Sequence, residues 1–312
     1  MNITVIGSIN MDIVTTVEKH PVTGETVTGW GTVYLPGGKG ANQAVATYLA
    51  GGNVSMVGAI GNDIFANDLI ENLENIGLNT KYILHKNTNS GLAFITVNSQ
   101  GDNNIILSQG ANGELAIKDI KQMEAVFNKT DILLLQNEIP WETTEFSIEE
   151  AHRKGVKVVF NPAPASNVNK ESFSKVDILV LNESEASVFT NMKVENVSQA
   201  KKAMCKLLEL GIKEVIVTLG VNGSLYANED GTTIYTPSFK VPVLDTTAAG
   251  DTFIGAFVST ISKNLSIKNS LEFATAAAAL AVTKKGAQTS IPNRDAINKF
   301  LESKNETYSN VN

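Results

Sequence analysis

The pattern that most constrains the fold is an alternation of short apolar runs with segments of helix length. Continuous apolar runs predict strands at Ile3–Ile6, Val54–Val57, Ile132–Leu135, Val156–Phe160, Ile178–Leu181 and Val215–Thr218. The intervening and following segments predict helices at Asn42–Ala50, Asp63–Ile76, Thr143–Lys154, Ser198–Leu210, Gly250–Ile261 and Ile267–Thr283. Apolar runs without polar alternation are typical of strands buried on both faces. We therefore predict an α/β fold with a mainly parallel central sheet and helices on both of its faces.

Two stretches break this alternation and predict a second, smaller β-sheet. They are residues 12–17 with 26–34, and residues 91–98 with 103–108. Ala93, Ile95 and Val97 alternate with Phe94 and Thr96, which is the period of a strand, and both faces carry apolar side chains. A small sheet of this kind would expose an apolar face on its own. We expect it to cover an active site or a second subunit.

Composition excludes several classes of protein. The 312 residues are 43% hydrophobic, which is enough for a large core, and the net charge of −7 argues against a nucleic-acid surface. No apolar run reaches the ~18 residues of a membrane span, and the chain enters a strand at once without a signal segment. Cys205 is the single cysteine, so no internal disulfide forms, and three scattered histidines predict no zinc site. We expect a cytoplasmic protein with no nucleic-acid or membrane partner.

The segment Asp245–Phe253 is the most informative motif. It reads Asp-Thr-Thr-Ala-Ala-Gly-Asp-Thr-Phe and joins a Pro-containing extended segment, Tyr235–Leu244, to the predicted helix that begins at Gly250. Small residues let backbone N–H groups approach a ligand closely, and a helix N-terminus favours an anion. Asp251, in the first turn, would meet that anion as a base. Taken alone, however, an Asp at a helix start is explained by capping, so phosphoryl transfer to a hydroxyl requires a second motif.

The second motif is a glycine-dense loop at the other end of the chain. Leu-Pro-Gly-Gly-Lys-Gly-Ala-Asn-Gln-Ala occupies residues 35–44 and runs into a predicted helix. Glycine pairs alone indicate only a turn, but Lys39 and Asn42 place polar groups beside bare backbone, which suits a polyol. Neither a Walker A loop nor a Gly-x-Gly-x-x-Gly after the first strand is present. The loop therefore argues against a P-loop protein and a dinucleotide-binding protein.

Taken in order, these motifs resemble the ribokinase branch of the PfkB carbohydrate kinase family. The signatures lie at residues 37–42 and 245–253, with supporting motifs at 7–12, 161–164, 182–185, 218–220 and 283–288. Any one of them is weak, whereas the ordered set is specific and covers nearly the whole chain, 2–302. The resemblance implies one kinase domain over residues 1–302, a β lid formed by about 12–36 and 91–108, and a polar tail at 303–312.

The resemblance also implies an activity and a set of site residues. The expected reaction is ATP-dependent phosphorylation of D-ribose at O5, with Asp251 as base and N–H donors from Ala248, Ala249 and Gly250. The implied sugar-binding residues are Asn10, Asp12, Gly38, Lys39, Asn42, Glu138 and Asp251. The implied nucleotide-binding residues are Asn182, Thr218, Gly220, Gly223, Gly250 and Thr275. Thr275 stands where close relatives often carry His, which reduces the stacking surface for adenine and leaves the base selectivity open.

Two metal ions and a dimer follow from the same resemblance. Glu185, with Asn182, would help organise Mg²⁺, mostly through water. A K⁺ ion would be held, largely by backbone carbonyls, at Asp245, Thr247, Ala281, Lys284, Gly286 and Ser290. The lid implies a homodimer formed through its face.

Several alternatives stay open at this point. Within the family, a deoxyribokinase is the nearest rival, and a nucleoside or hexose kinase is a more distant one. A sugar-binding regulator would keep the glycine loop but lose the base, and retained Asp251 argues against it. An NAD-dependent sugar dehydrogenase would need the missing dinucleotide motif. Without the resemblance, Asp12 is equally well a turn residue, Glu138 an exposed loop residue, and Asn182–Glu185 a solvated helix start.

Overall fold

The computed structural model describes residues 1–166 and 168–309, and only the backbone of 305–309. Its strands, in chain order, are β1 Asn2–Ile6, β2 Asn10–Val17, β3 Gly29–Gly37, β4 Asn53–Ile60, β5 Asn79–His85, β6 Gly91–Val97, β7 Asn103–Ser108, β8 Ile132–Leu135, β9 Lys157–Phe160, β10 Ile178–Asn182, β11 Glu214–Thr218, β12 Ser224–Asn228 and β13 Thr233–Thr236. Its α-helices are α1 Lys39–Leu49, α2 Ala66–Ile76, α3 Ile117–Gln122, α4 Glu124–Phe127, α5 Trp141–Arg153, α6 Glu183–Thr190, α7 Val197–Leu208, α8 Ala249–Ile261, α9 Ile267–Ala281 and α10 Arg294–Ser309.

The large sheet is mainly parallel, as the apolar runs predict. Over the described residues its order is β13-β12-β11-β10-β9-β8-β1-β4-β5, and β12 and β13 are the antiparallel members at one edge. The six predicted strands are β1, β4 and β8 to β11, all in the parallel part. β5, β12 and β13 were not predicted, because they lie at the two edges of the sheet and lack the continuous apolar runs of the interior strands.

The six predicted helices are confirmed as α1, α2, α5, α7, α8 and α9, with ends displaced by a few residues. α3, α4, α6 and α10 were not predicted. The extended segment expected at Tyr235–Leu244 is a strand only to Thr236. The polar tail expected at 303–312 begins inside α10, which continues to Ser309, and residues 310–312 lie outside the described residues.

Two buried apolar clusters cover the two faces of the sheet. One contains residues of α1, α2, α8 and α9, and the other contains residues of α5, α6 and α7. α8 lies close against α1, and Gly255 is the reason, since a Cβ there would lie 2.5 Å from Ala46 Cβ and 2.7 Å from Thr47 N. Real Cβ atoms do not approach that closely, so a side chain at 255 would push the helices apart. The close packing brings the N-terminus of α8 beside α1, at the end of the sheet where the parallel strands finish.

The smaller sheet has the order β3-β2-β6-β7, with β2 antiparallel to β3 and parallel to β6. It exposes a set of large apolar side chains, as the sequence predicts: Trp30, Val33, Tyr34, Phe94, Ile105, Ile106 and Leu107. β2 begins at Asn10 and β3 ends at Gly37, and these two residues pair. The glycine loop is therefore the direct continuation of the smaller sheet into α1. Within the part of the chain that the structure describes, no helix has the length and hydropathy needed to cross a membrane.

Candidate active site

Polar residues gather where the parallel strands end. Ser8 follows β1, Gln136 follows β8, Asn161 follows β9, and Asn182 ends β10. In an open parallel sheet the carboxyl ends of the strands share one edge, where ligands bind. Asn161 and Asn182 each come at the end of a predicted strand in the sequence, which predicts that they lie at this edge, and the parallel pairing of β9 with β10 confirms it.

Asp251 lies at the centre of this edge and is held by two amide side chains. It is 7% exposed and belongs to the first turn of α8, which begins after Ala248 in a left-handed conformation, φ 57°. Asn42 Nδ2 donates to Asp251 Oδ2 at 3.1 Å, and Gln43 Nε2 donates to Oδ1 at 2.9 Å. Each carboxylate oxygen therefore accepts from a residue of α1, which sets the orientation of the group.

Lys39, the first residue of α1, faces four carboxylates. They belong to Asp12, Glu138, Glu185 and Asp251. Burial lowers the pKa of Lys39, but the four carboxylates outweigh it and hold the pKa above its ordinary value. The site carries more negative than positive charge, so it favours a cation or a hydrogen-bond donor as its ligand.

The carboxylates themselves show this excess. Burial, followed by the charges of Glu138 and Asp251, raises the pKa of Asp12 from its ordinary 3.8 to about 7. Burial also raises the pKa of Glu138, although Lys39 and Ser8 oppose it. Ser8 Oγ donates to Glu138 Oε2 at 2.5 Å, and the Lys39 N–H donates to the same oxygen at 3.0 Å. Glu138 thus joins the end of β1 to the start of α1.

Two glycines allow the loop to lie directly on strand β2. A Cβ at Gly37 would lie 2.2 Å from Asp12 Oδ2, and one at Gly38, which has φ 89°, would lie 2.8 Å from Asn10 N. Asn112 fixes the amide of Asn10, because its Nδ2 donates to Asn10 Oδ1 at 2.7 Å while its Oδ1 accepts from the Ile9 N–H at 2.9 Å. Asn10 is left with Nδ2 as a donor, and Asp12 beside it offers an acceptor. This pair complements adjacent hydroxyl groups.

A cavity of about 220 Å³ adjoins Asp251 on the side of α8. It is lined by Lys39, Asn161, Val180, Leu181, Asn182, Glu185, Thr218, Thr246, Ala248, Ala249, Gly250, Asp251 and Ile254. The predicted nucleotide residues Asn182, Thr218 and Gly250 therefore share one cavity. Gly220, Gly223 and Thr275 are not among its lining residues. Thr275 is buried in α9, and its hydroxyl donates to the Leu271 carbonyl at 2.8 Å.

Asn182 and Glu185 form the start of helix α6 and also face this cavity. Asn182 Oδ1 accepts from the Glu185 N–H at 2.8 Å, and Glu185 Oε2 accepts from the Asn182 N–H at 2.9 Å. This is a reciprocal cap. Burial raises the pKa of Glu185, although hydrogen bonding to Asn182 and the charge of Lys39 oppose it. The two residues therefore begin a helix, as one interpretation of the sequence held, and both also line the cavity.

Backbone groups at the start of α8 line the same cavity. The Ala249 N–H donates to the Thr246 carbonyl at 3.2 Å, whereas the structure gives no acceptor among the described residues for the N–H groups of Ala248 and Gly250. A Cβ placed on Gly250 would meet no atom within 4 Å. Packing therefore does not require a glycine at position 250. Its effect is to leave the backbone exposed on this wall of the cavity.

The predicted potassium loops lie against each other. Asp245 Oδ1 accepts from the N–H and hydroxyl of Thr247, at 2.9 and 2.6 Å, and Oδ2 accepts from the Gly286 N–H at 2.9 Å. Burial raises the pKa of Asp245, but these hydrogen bonds and the charge of Lys285 hold it below the ordinary value. The Lys284 N–H donates to the Ala281 carbonyl, and Ser290 Oγ donates to the Ala287 carbonyl. Among the described residues, no group of three or more His, Cys, Asp or Glu is arranged as a metal cluster.

Four buried amide residues of the site were not assigned a role from the sequence. They are Gln43, Asn112, Gln136 and Asn161. Asn161 directly follows a predicted strand, which places it at this edge as it does Asn182, although the rule assigns it no contact partner. Gln136 follows β8 in the same way, so the same rule would have found it. Gln43 follows Asn42 in the glycine loop motif. Asn112 lies far from any motif, and nothing in the sequence around it indicates its contact with Asn10.

Comparison with known proteins places this geometry in a family. The model of the pfkB family carbohydrate kinases matches residues 1–294. The chain is 40% identical over 304 residues to a ribokinase of Haemophilus influenzae, covering 96% of this chain and 98% of the relative. It is 37% identical over 303 residues to a deoxyribokinase of Salmonella typhi, with 96% and 99% covered. A structure of Arabidopsis thaliana ribokinase complexed with ribose and ATP is similar with a TM-score of 0.87 and 33% identity, over 96% of this chain and 98% of that one. This chain therefore belongs to the pfkB family of carbohydrate kinases and transfers a phosphoryl group to a sugar hydroxyl.

Proposed function

We propose that this kinase transfers the γ-phosphoryl group of ATP to O5 of D-ribose, with Asp251 as the general base. One observation carries the proposal. Asp251 is buried between two groups of residues. On one side lie Asn10, Asp12, Lys39 and Glu138, and on the other lies the cavity at the start of α8. A base in that position reaches both the acceptor hydroxyl and the group that it attacks.

In the proposed step, the O5–H proton passes to Asp251 as O5 forms a bond to the γ-phosphorus. The bond from that phosphorus to the β,γ-bridging oxygen breaks, and ADP leaves with the electron pair. Charge on the transferring group is stabilised by N–H donors of Ala248, Ala249 and Gly250 and by the N-terminus of α8. The open Ala248 and Gly250 N–H groups support this role, and Ala249 contributes less because its N–H already meets Thr246.

The sugar pocket is formed by Asn10, Asp12, Gly38, Lys39, Asn42 and Glu138. Asn42 Oδ1 is a buried acceptor without a protein partner, while its Nδ2 is engaged by Asp251. A buried acceptor of that kind is satisfied when a hydroxyl of the substrate donates to it. Together with Asp12 as an acceptor and Asn10 as a donor, it supports recognition of neighbouring hydroxyls.

The nucleotide occupies the cavity beside Asn182, Thr218 and Gly250, and its base lies toward Gly220, Gly223 and Thr275. The residues present fit Mg²⁺, because Glu185 offers a carboxylate to the cavity and the site as a whole favours cations. Glu185 would hold the ion through water, since Mg²⁺ retains several of its waters in such sites. The bound ion would neutralise charge on the phosphates.

We also propose a K⁺ site at the loops that contain Asp245, Thr247, Ala281, Lys284, Gly286 and Ser290. The hydrogen bonds that Asp245 accepts from Thr247 and Gly286 support it, since the bond from Gly286 joins the loop before α8 to the loop that follows α9. A monovalent cation there would stabilise the loop that presents the N–H donors, and the donors would then need less reorganisation during transfer.

Deoxyribokinase is the second candidate, and the Salmonella typhi relative is the observation that favours it. A site that hydrogen-bonds a hydroxyl rejects an analogue lacking it, up to about 10⁴-fold. We therefore expect kcat/KM to be higher for ribose than for 2-deoxyribose, measured with ATP and Mg²⁺ in a coupled ADP assay. An equal or reversed preference would assign the enzyme to deoxyribose.

The lid supports a homodimer. Its exposed face carries Trp30, Tyr34 and Ile106, of which Ile106 is 70% exposed, and an apolar face of this size is typical of an interface. Replacing Ile106 with Asp should shift the mass measured by light scattering from dimer to monomer, and a monomeric wild-type protein would contradict this assignment. The cytoplasmic location stays a prediction.

A further inference from the structure

We propose that Gln43 is a positioning residue for Asp251, and that Gln136 and Asn161 set the orientation of its amide. The proposal rests on the role of Asp251 as base. Gln43 touches the carboxylate of Asp251 rather than any substrate atom, so its effect is on the direction in which that carboxylate presents its free lone pairs.

The contacts form a continuous chain of buried amides. Gln43 Nε2 donates to Asp251 Oδ1 at 2.9 Å and to Asn161 Oδ1 at 3.2 Å. Gln136 Nε2 donates to Gln43 Oε1 at 2.7 Å. Asn161 Nδ2 donates to the Val180 carbonyl at 2.9 Å. Gln43 and Gln136 are 0% exposed and Asn161 is 5% exposed. The chain links α8 through α1 to the ends of β8, β9 and β10.

The acceptor oxygens at the two ends, those of the Asp251 carboxylate and the Val180 carbonyl, determine the direction of the bonds between these amides. An ionised carboxylate only accepts, so Gln43 must present Nε2 to it and Oε1 must face Gln136. Gln136 must then present Nε2 in turn. If the Gln43 amide were reversed, its oxygen would lie against two acceptor oxygens, those of Asp251 and Asn161. The side-chain amides of Gln43, Gln136 and Asn161 therefore have only one set of orientations in which donors meet acceptors.

This fixed orientation leaves an unpaired acceptor at Gln136, the far end of the series of hydrogen-bonded amides. Gln136 Oε1 is buried without a hydrogen-bond partner, and an unpaired buried acceptor is destabilising. A protein selected for stability alone would be better served by apolar side chains at both 43 and 136, because neither amide would then leave a buried acceptor without a partner. The unpaired oxygen of Gln136 is explained if the function of these amides is to keep Gln43 Nε2 as a donor to Asp251.

The position of Gln43 also explains why its restraint is effective. The amide reaches Asp251 across the contact between α1 and α8, which Gly255 keeps close. Asn42 holds the other carboxylate oxygen from the same helix. Loss of the Gln43 donor would leave the carboxylate with one restraint and free to rotate about its Cβ–Cγ bond. A base that is displaced by about 1 Å loses up to roughly 10²-fold in rate.

The test uses Gln43→Met, which keeps the length of the side chain and removes the amide. We expect kcat to fall roughly 10- to 100-fold, as expected for a misplaced base, while KM for the sugar and for ATP stays close to wild type. In the Asp251→Asn background, the same change should lower kcat no further, because the base through which Gln43 acts is absent. Gln122→Met, on an exposed residue at the end of α3, is the matched control and should leave all constants unchanged.

Unchanged kcat in Gln43→Met, or an equal loss of kcat in the Asp251→Asn background, would overturn the proposal. If Gln43→Met does not unfold cooperatively, Gln136→Met decides instead: a fall in kcat that disappears in the Asp251→Asn background supports the chain, and wild-type kcat overturns it. The experiment distinguishes failure of this inference from failure of the proposed function. Full kcat in Asp251→Asn alone refutes the base assignment, whereas low kcat in Asp251→Asn with full kcat in Gln43→Met refutes only this inference.

Discussion

Replacing Asp12 with Asn should stabilise the ligand-free enzyme at alkaline pH and weaken its binding of the sugar. Asp12 is 8% exposed, and its burial near Glu138 and Asp251 raises its pKa to about 7. In the unfolded chain the group titrates near its ordinary 3.8. The folded state therefore holds a proton that the unfolded state has released between these two values, and the contribution of Asp12 to stability is lost as pH rises through 7.

The magnitude follows from the two pKa values. Each pKa unit corresponds to 1.36 kcal/mol, so a difference of about three units amounts to about 4 kcal/mol of destabilisation above pH 7. At pH 5 only about 1.6 kcal/mol of it is present, because the folded group is still protonated. We expect the free energy of unfolding of Asp12→Asn, relative to wild type, to rise by about 2.5 kcal/mol between pH 5 and pH 8.

Urea unfolding of the ligand-free protein at the two pH values measures this difference. Asp68→Asn, at an exposed position on α2, is the matched control and should show the same small effect at both pH values. The same Asp12→Asn protein should show a raised KM for ribose, because the amide replaces one of the two acceptor oxygens of the carboxylate with an NH₂ donor and removes its charge. A relative stability of Asp12→Asn that does not change from pH 5 to pH 8 would refute the reasoning about the buried carboxylate.

Three further predictions concern the transfer step. Asp251→Asn should lower kcat by roughly 10²–10⁴-fold with sugar binding nearly intact, as loss of a positioned base does, and near-normal turnover would remove Asp251 from that role. Gly250→Val should fold normally, because its Cβ meets no atom within 4 Å, yet impair turnover by covering the cavity floor; unchanged steady-state kinetics with normal unfolding would show that the bare backbone is unused. Turnover should be higher in K⁺ than in Na⁺ or a large organic cation at equal ionic strength, and identical rates in all three would leave the Asp245 and Gly286 loops with a purely structural role.

Residues close together in the chain carried most of the fold prediction. Hydrophobic periodicity depends on neighbours within one strand or one turn of helix, so the interior strands β1, β4 and β8 to β11 and the long helices could be predicted without knowledge of the rest. The antiparallel strands β12 and β13 were missed because their pairing, rather than a continuous apolar run, defines them. The approximate place of Asp251 at a helix start was predictable for the same local reason.

The contacts within the site depended on the tertiary structure. Asn42 and Gln43 are more than 200 residues from Asp251 in the chain, and they meet because a glycine in α8 lets two helices pack closely. Asp12 lies on β2 of the smaller sheet, Glu138 follows β8, and Lys39 begins α1. The pKa of Asp12 therefore follows from burial and charges that only folding brings together. By itself the sequence determined which chemical groups were available and on which kind of element each would lie. The order of the sheet and the packing of α1 on α8 decided which of them meet, because distances between remote segments depend on the packing of the whole chain and leave no signal in a local pattern.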